Sequence, residues 1–162
     1  MGGHDSPPIR FWGYVIIFEK PLKTAGRAEL ERFSRQAQKL ARVPGEVSIL
    51  ITGDRTMRSL NRRFRRKNKT TDVLSFPRPE GGDIAISAPL ARKNAARYGH
   101  ALREEMKVLI LHGLLHLSGH DHETDRGQMA ALELRLRSRL KLPGSLIERS
   151  APKKNARAGR NR

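Results

Sequence analysis

Four of the six histidines in this chain fall within the eleven residues from His112 to His122, in the stretch HGLLHLSGHDH. The chain has no cysteine, so any transition-metal site must be built from His, Asp and Glu. His112 and His116 are four residues apart, which on a helix puts both side chains on one face about one turn apart. Gly119 allows a sharp reversal that can bring His122 back toward that pair. The spacing H-x-x-x-H-x-x-G-x-x-H thus offers three nitrogen ligands, His112, His116 and His122, and leaves a fourth tetrahedral position for water. Catalytic zinc sites have that arrangement, whereas structural ones are closed. One zinc ion is the expected cofactor. Zinc acidifies its water to a pKa near ~7 and can polarise a phosphoryl oxygen. A class of zinc proteases uses the same spacing with Glu directly after the first histidine as general base. Here that residue is Gly113, which has no group to accept a proton, so proteolysis loses its base while the metal site survives.

The elements that must position these residues follow from periodicity. YVIIF (Tyr14 to Phe18) reads as a buried strand, and Arg27 to Ala41 as a helix with Leu30, Phe33, Ala37 and Leu40 on one side. EVSILIT (Glu46 to Thr52) alternates like a strand. Gly53 and Asp54 then break it and cap a helix carrying Met57, Leu60 and Phe64. DVLSF (Asp72 to Phe76) and GDIAIS (Gly82 to Ser87) are two further strands separated by the turn-forming PRPEGG. Ala88 to Tyr98 is a short helix, Ala101 to Leu117 a Leu-rich one ended by Gly119, and a last helix runs from about Thr124 to Leu140. The fold class expected is α+β: a single compact domain with a small, about four-stranded mixed sheet covered by helices, the metal site lying on a helix and the turn after it. Residues 1–10 are expected to be a flexible N-terminus, 11–148 the functional domain and 149–162 a disordered basic tail.

Composition narrows the partners. A chain of 162 residues has room for about one core. Thirty-three Lys and Arg against sixteen Asp and Glu leave a formal charge of +17, with a pI near 11.4. Such a surface attracts polyanions through phosphate contacts, although charge alone is equally explained by solubility or a compositional habit. RNA or the ribosome is favoured over a membrane because no long basic helix carries a continuous Trp, Phe and Leu face. No early apolar run is long enough for a signal peptide or a bilayer span, so a soluble, cytoplasmic protein is expected.

HGLLHLSGHDH resembles the H-G-x-L-H-L-x-G-Y-D-H motif of the YbeY family, bacterial metal-dependent endoribonucleases linked to ribosomal RNA maturation and ribosome quality control. LNRRFRRKNKTTDVLSFP (Leu60 to Pro77) is similar to that family's L-N-x-x-Y-R-x-x-D-x-P-T-D-V-L-S-F-P, and GGDIAIS to its L-G-D-I-x-I-S strand. The likeness covers most of residues 46 to 140. It implies that His112, His116 and His122 are the zinc ligands and that Arg65 is the arginine implicated in RNA cleavage. Phe64 stands in place of Tyr, Asn68 of Asp, Thr70 of Pro, and His120 of Tyr. His120 adds a competing nitrogen, but His122 keeps the family spacing and is assigned as the ligand.

The function implied is a single-strand-specific endoribonuclease in rRNA processing, including 16S rRNA 3′ end maturation and ribosome quality control. Single-stranded RNA, ribosomal RNA and the ribosome are its partners. The alternative is a non-catalytic zinc-containing ribosome assembly factor that binds rRNA electrostatically. Arg65 suits catalysis because a guanidinium fork grips two phosphate oxygens at once, yet Arg62, Arg63, Arg65, Arg66, Lys67 and Lys69 would form such a run on any basic surface. Asp121 either fixes a ligand imidazole or caps the turn. Asp72 and Ser75 face the cleft or belong to the core and sheet edge. Glu104, Glu105 and Glu133 read as exposed helix charges, and Met129 as an apolar helix position with Leu132 and Leu136.

Overall fold

Short runs rich in Val and Ile supply the framework, because β-branched side chains pack well on a pleated surface. The computed structural model describes residues 15–20, 22, 26–66 and 71–143. In it Val15–Phe18 (β1), Val47–Thr52 (β2), Val73–Pro77 (β3) and Gly82–Ser87 (β4) form one sheet in the order β1-β2-β4-β3. β1 pairs parallel with β2 and β2 with β4, whereas β3 lies antiparallel to β4 at the edge. Pro77 is tolerated there because an edge strand need not donate a hydrogen bond from both sides. Among the described residues there are five helices: Arg27–Ala41 (α1), Asp54–Arg65 (α2), Ala88–Tyr98 (α3), Leu102–Leu117 (α4) and Gln128–Leu140 (α5). The α+β class with a four-stranded mixed sheet is the one expected.

The strand register sorts side chains onto two faces. Ile84 and Ile86 of β4, beside Ile49 and Ile51 of β2, join the main core with α1 and α4. Ala85, opposite Leu74, packs with Met57 and Leu60 of α2 on the other face. Both faces are therefore covered, which corrects the expected alternation of β2: its burial does not alternate, and Ser48 and Thr52 are as buried as the isoleucines.

The last helix also starts later than its periodicity implies, at Gln128 and not near Thr124. Gly127 adopts φ 94°, and the Asp125 carboxylate accepts hydrogen bonds from the backbone N–H of Gly127 at 2.8 Å and of Met129 at 2.7 Å. The polar stretch is thus used as a cap and not as a first helical turn. Tyr14, Lys67 to Thr70, and the termini expected at 1–10 and 149–162 lie outside the described residues. Among the described residues no helix is long and apolar enough to cross a membrane.

Candidate metal centre

α4 is the element that delivers the histidines, and it does so from inside the molecule. Every residue from Val108 to Leu115 is buried, packed against α1, α3, α5 and the sheet. Gly113 explains how it comes so close to β4. A Cβ at that position would lie 2.9 Å from Ile84 Cγ2 and 3.0 Å from its Cδ1, so a side chain there would push the helix off the sheet. Ser75 of β3 adds a hydrogen bond from its hydroxyl to the Gly113 carbonyl at 3.1 Å. The helix then stops: Gly119 takes φ 95°, and the His120 N–H returns to the Leu115 carbonyl at 3.1 Å.

That reversal brings the third histidine to the first two. One nitrogen each from His112, His116 and His122 lies within 4.8 Å of the others, a group able to hold a metal ion. The Nε2 atoms of His112 and His116 are 3.2 Å apart. Two nitrogens bound at 2.0–2.1 Å in a tetrahedron stand about 3.3 Å apart, so this pair already has the spacing a zinc-sized ion requires. His122 Nδ1 is buried with no hydrogen-bond partner among the described residues, a cost of about 1–3 kcal/mol. The donor set and this orphaned nitrogen fit a metal. His120 is not in the group.

Surroundings hold two of the rings in place. Glu133 on α5, fully buried, sets its Oε2 3.3 Å from His112 Nδ1, and its Oε1 accepts from Arg137 Nη1 at 3.2 Å. A carboxylate on Nδ1 fixes the tautomer that leaves the Nε2 lone pair facing the cluster. His116 is held by a hydrogen bond to the His120 backbone, while burial, then the charges of His112 and His122, push its imidazole down to about 4. At neutral pH His116 is therefore the uncharged ligand form.

Glu133 and Glu105 correct the expectation of exposed helix charges: both are completely buried, whereas Glu104 is half-buried beside Lys107. Glu105 pairs with His100 at 2.5 Å. A signal for Glu133 was present, since it lies four residues after Met129 and three before Leu136, on the stripe that α5 buries. Asp121 caps the turn, accepting from the Glu123 N–H at 3.0 Å, a bond that lowers its carboxyl pKa. Asp72 sits where the fields of His112 and Glu105 both reach it. Burial raises its pKa, the His112 charge opposes that, and Asn94 donates to its Oδ2 at 3.2 Å. Arg65 is not brought into the cluster. It is exposed on the last turn of α2, across the sheet from α4. It does share an end of the sheet with the site: Phe64 stacks edge-on against Phe76 at 5.2 Å, and Leu117 packs at Gly82 on the adjacent strand.

A search of solved structures finds this architecture in a solution structure from Thermotoga maritima. It covers 91% of this chain and 100% of that one, with a TM-score of 0.54 and 22% identity, a likeness of fold alone. Sequence relatives are far nearer. An Endoribonuclease YbeY of Koribacter versatilis is 53% identical over 146 residues, spanning 88% of this chain and 96% of the relative. One from Solibacter usitatus is 50% identical over 139 residues, spanning 85% and 95%. The family model described as Endoribonuclease YbeY matches residues 17–141, a span that contains all of the sheet but the first two residues of β1, α1 to α5 and all three clustered histidines, and on these grounds the chain belongs to the YbeY family.

Proposed function

We propose that this protein is a zinc-dependent endoribonuclease that cuts single-stranded RNA in rRNA processing, including maturation of the 16S rRNA 3′ end and ribosome quality control. The ribosome is its partner, the cytoplasm its place of action, and residues 11–148 its working unit. The observation that carries the reading is the His112, His116 and His122 cluster, three converging nitrogens on rings of which one carries a buried nitrogen without a partner, in a chain of this family. One zinc ion bound there would supply Lewis-acid polarisation of the scissile phosphate and an acidified water.

The protein's own groups divide the remaining work. Glu133 orients His112, and His116 stays neutral for coordination. Arg65 is assigned the phosphate oxygens on which charge builds, since a guanidinium stays cationic at any working pH and grips two oxygens at once. Its exposure on the last turn of α2 leaves the guanidinium available to a phosphate. Gly113 leaves peptide hydrolysis without a base.

The test is elemental analysis of protein purified without a metal-affinity tag, together with cleavage of a short single-stranded RNA with and without chelator. About one zinc per chain and chelator-sensitive cleavage are expected. Metal-free protein with full activity would overturn the zinc reading. Protein that holds the ion, binds rRNA and leaves every strand intact would be the assembly factor instead.

A further inference from the structure

α2 carries more unpaired charge than its own stability explains. Arg55, Arg58, Arg62 and Arg65 recur at intervals of three, four and three, which at 3.6 residues per turn places them within an arc of about 80° along about 15 Å of helix. Met57, Leu60 and Phe64 occupy the opposite side, against the sheet. All four arginines are exposed, and none has a hydrogen bond, ion pair or ring contact among the described residues. Some other arginines are engaged: Arg27 with Glu31, Arg78 with Asp83 and Arg137 with Glu133, and within α2 Arg63 lies over the Phe64 ring. The only acidic residue of α2, Asp54, accepts a hydrogen bond from the Ser87 hydroxyl.

The helix dipole separates a bland explanation from a functional one. Arg62 and Arg65 in the last turn favour the negative end of the helix. Arg55 in the first turn and Arg58 just beyond it gain nothing there, and Arg55 opposes the positive end by a few tenths of a kcal/mol or more. Their placement therefore serves something outside the helix. The stripe ends at Arg65, beside Phe64 on Phe76, the sheet end where Leu117 of α4 meets Gly82, and among the described residues β3 is the one strand outward of β4.

We infer that the Arg55, Arg58, Arg62 and Arg65 stripe on the outer face of α2 is the track on which the sugar-phosphate backbone of single-stranded RNA lies as it passes the edge of the sheet to the histidine cluster. The inference rests on reading that cluster as an RNA-cleaving site. A row of guanidiniums with no base-reading partner grips phosphates without regard to sequence, so the track sets affinity and leaves cleavage specificity to the cluster.

The test compares two triple variants that each remove three positive charges. One is Arg55→Gln, Arg58→Gln, Arg62→Gln; the other, on the exposed side and end of α1, is Arg32→Gln, Lys39→Gln, Arg42→Gln. Each is titrated with a short single-stranded RNA whose linkages are charged, cleavage-resistant phosphorothioates over a series of salt concentrations, and its kcat and KM are measured on the cleavable strand. The stripe variant should lose about 2 from the salt slope, at about 0.7 per phosphate contact, with KM up on the order of tenfold and kcat and Tm unchanged. The α1 variant should change KM less than twofold. Equal losses in both variants, or wild-type affinity in the stripe variant, overturn the track. Wild-type protein that binds neither strand at low salt overturns the RNA reading itself, a result distinct from tight binding by wild type and stripe variant alike. Retention on phosphatidylglycerol vesicles that the stripe variant loses, while its RNA affinity stays intact, would reassign the surface to lipid.

Discussion

The two faces of the sheet are basic in different ways. On the α4 face the nitrogens converge at the end of a buried helix, and two of the three rings are held by named neighbours: His112 by Glu133, His116 by the backbone of His120. On the α2 face the guanidiniums of Arg55, Arg58, Arg62 and Arg65 stand in solvent with no partner among the described residues. The first arrangement is a matter of tenths of an ångström and depends on every member. The second is a matter of summed charge, in which members substitute for one another. Single substitutions should therefore be severe on one face and mild on the other, with Arg65 as the instructive exception.

The largest effect expected is at His116. His116→Ala should abolish stoichiometric metal and cleavage together, read by elemental analysis and RNA cleavage, because two nitrogens do not hold zinc as three do. Next comes Arg65. If it stabilises charge at the scissile phosphate, Arg65→Ala should lower kcat on the order of a hundredfold with little change in RNA affinity, and Arg65→Lys should recover part of that. Arg66→Ala is the control, expected to be nearly silent. Equal small effects at both positions would falsify a catalytic Arg65 and make the α2 face electrostatic throughout.

A smaller effect sharpens the α4 side. Replacing Glu133 and Arg137 together by Leu exchanges a buried ion pair for apolar packing, which is often neutral for stability. Metal affinity should nevertheless fall about 10- to 100-fold, because the His112 ring loses its orienting carboxylate. An unchanged metal Kd at an unchanged Tm would reduce Glu133 to a packing role. The smallest effect is in pH. His116 titrates below its ordinary 6.5, at about 4, so between those values the unfolded chain binds the extra proton. The metal-free protein should then lose stability, on the order of 1 kcal/mol, as pH falls through that window, and be unaffected above it. His116→Gln should flatten the dependence in denaturant titrations.

What the sequence made legible divides along similar lines. Features encoded locally were readable: the i, i+4 histidines, the glycine that turns the chain, and the amphipathic spacing of α1 and α2. Features that depend on which surface another element covers were not. β2 reads as half-exposed because Ser48 and Thr52 are polar, yet both are buried, Thr52 with its hydroxyl on the Glu19 carboxylate. Glu133 and Glu105 looked like solvated charges because their partners, His112 and His100, lie on the far side of a helix contact or a turn. The start of α5 was misplaced because Asp125 caps a later residue than its neighbours imply. Arg65 was named through family likeness, and its distance from the cluster is a property of the folded sheet that no spacing along the chain records.

The close approach at Gly113 bears on what this scaffold can be engineered to do. Installing the glutamate of a zinc protease there is chemically the obvious way to convert one hydrolase into another. The Ile84 side chain stands in the way, because the first carbon of the new side chain would meet its Cγ2 at 2.9 Å. Redesign would have to begin by trimming Ile84 to alanine, leaving a cavity or a buried carboxylate on the apolar face of β4 at a cost of about 2–5 kcal/mol for the lost packing alone. A substitution one residue from a metal ligand would thus be decided by the sheet beneath it, and the reaction this fold can host is limited by how tightly a helix sits on a strand.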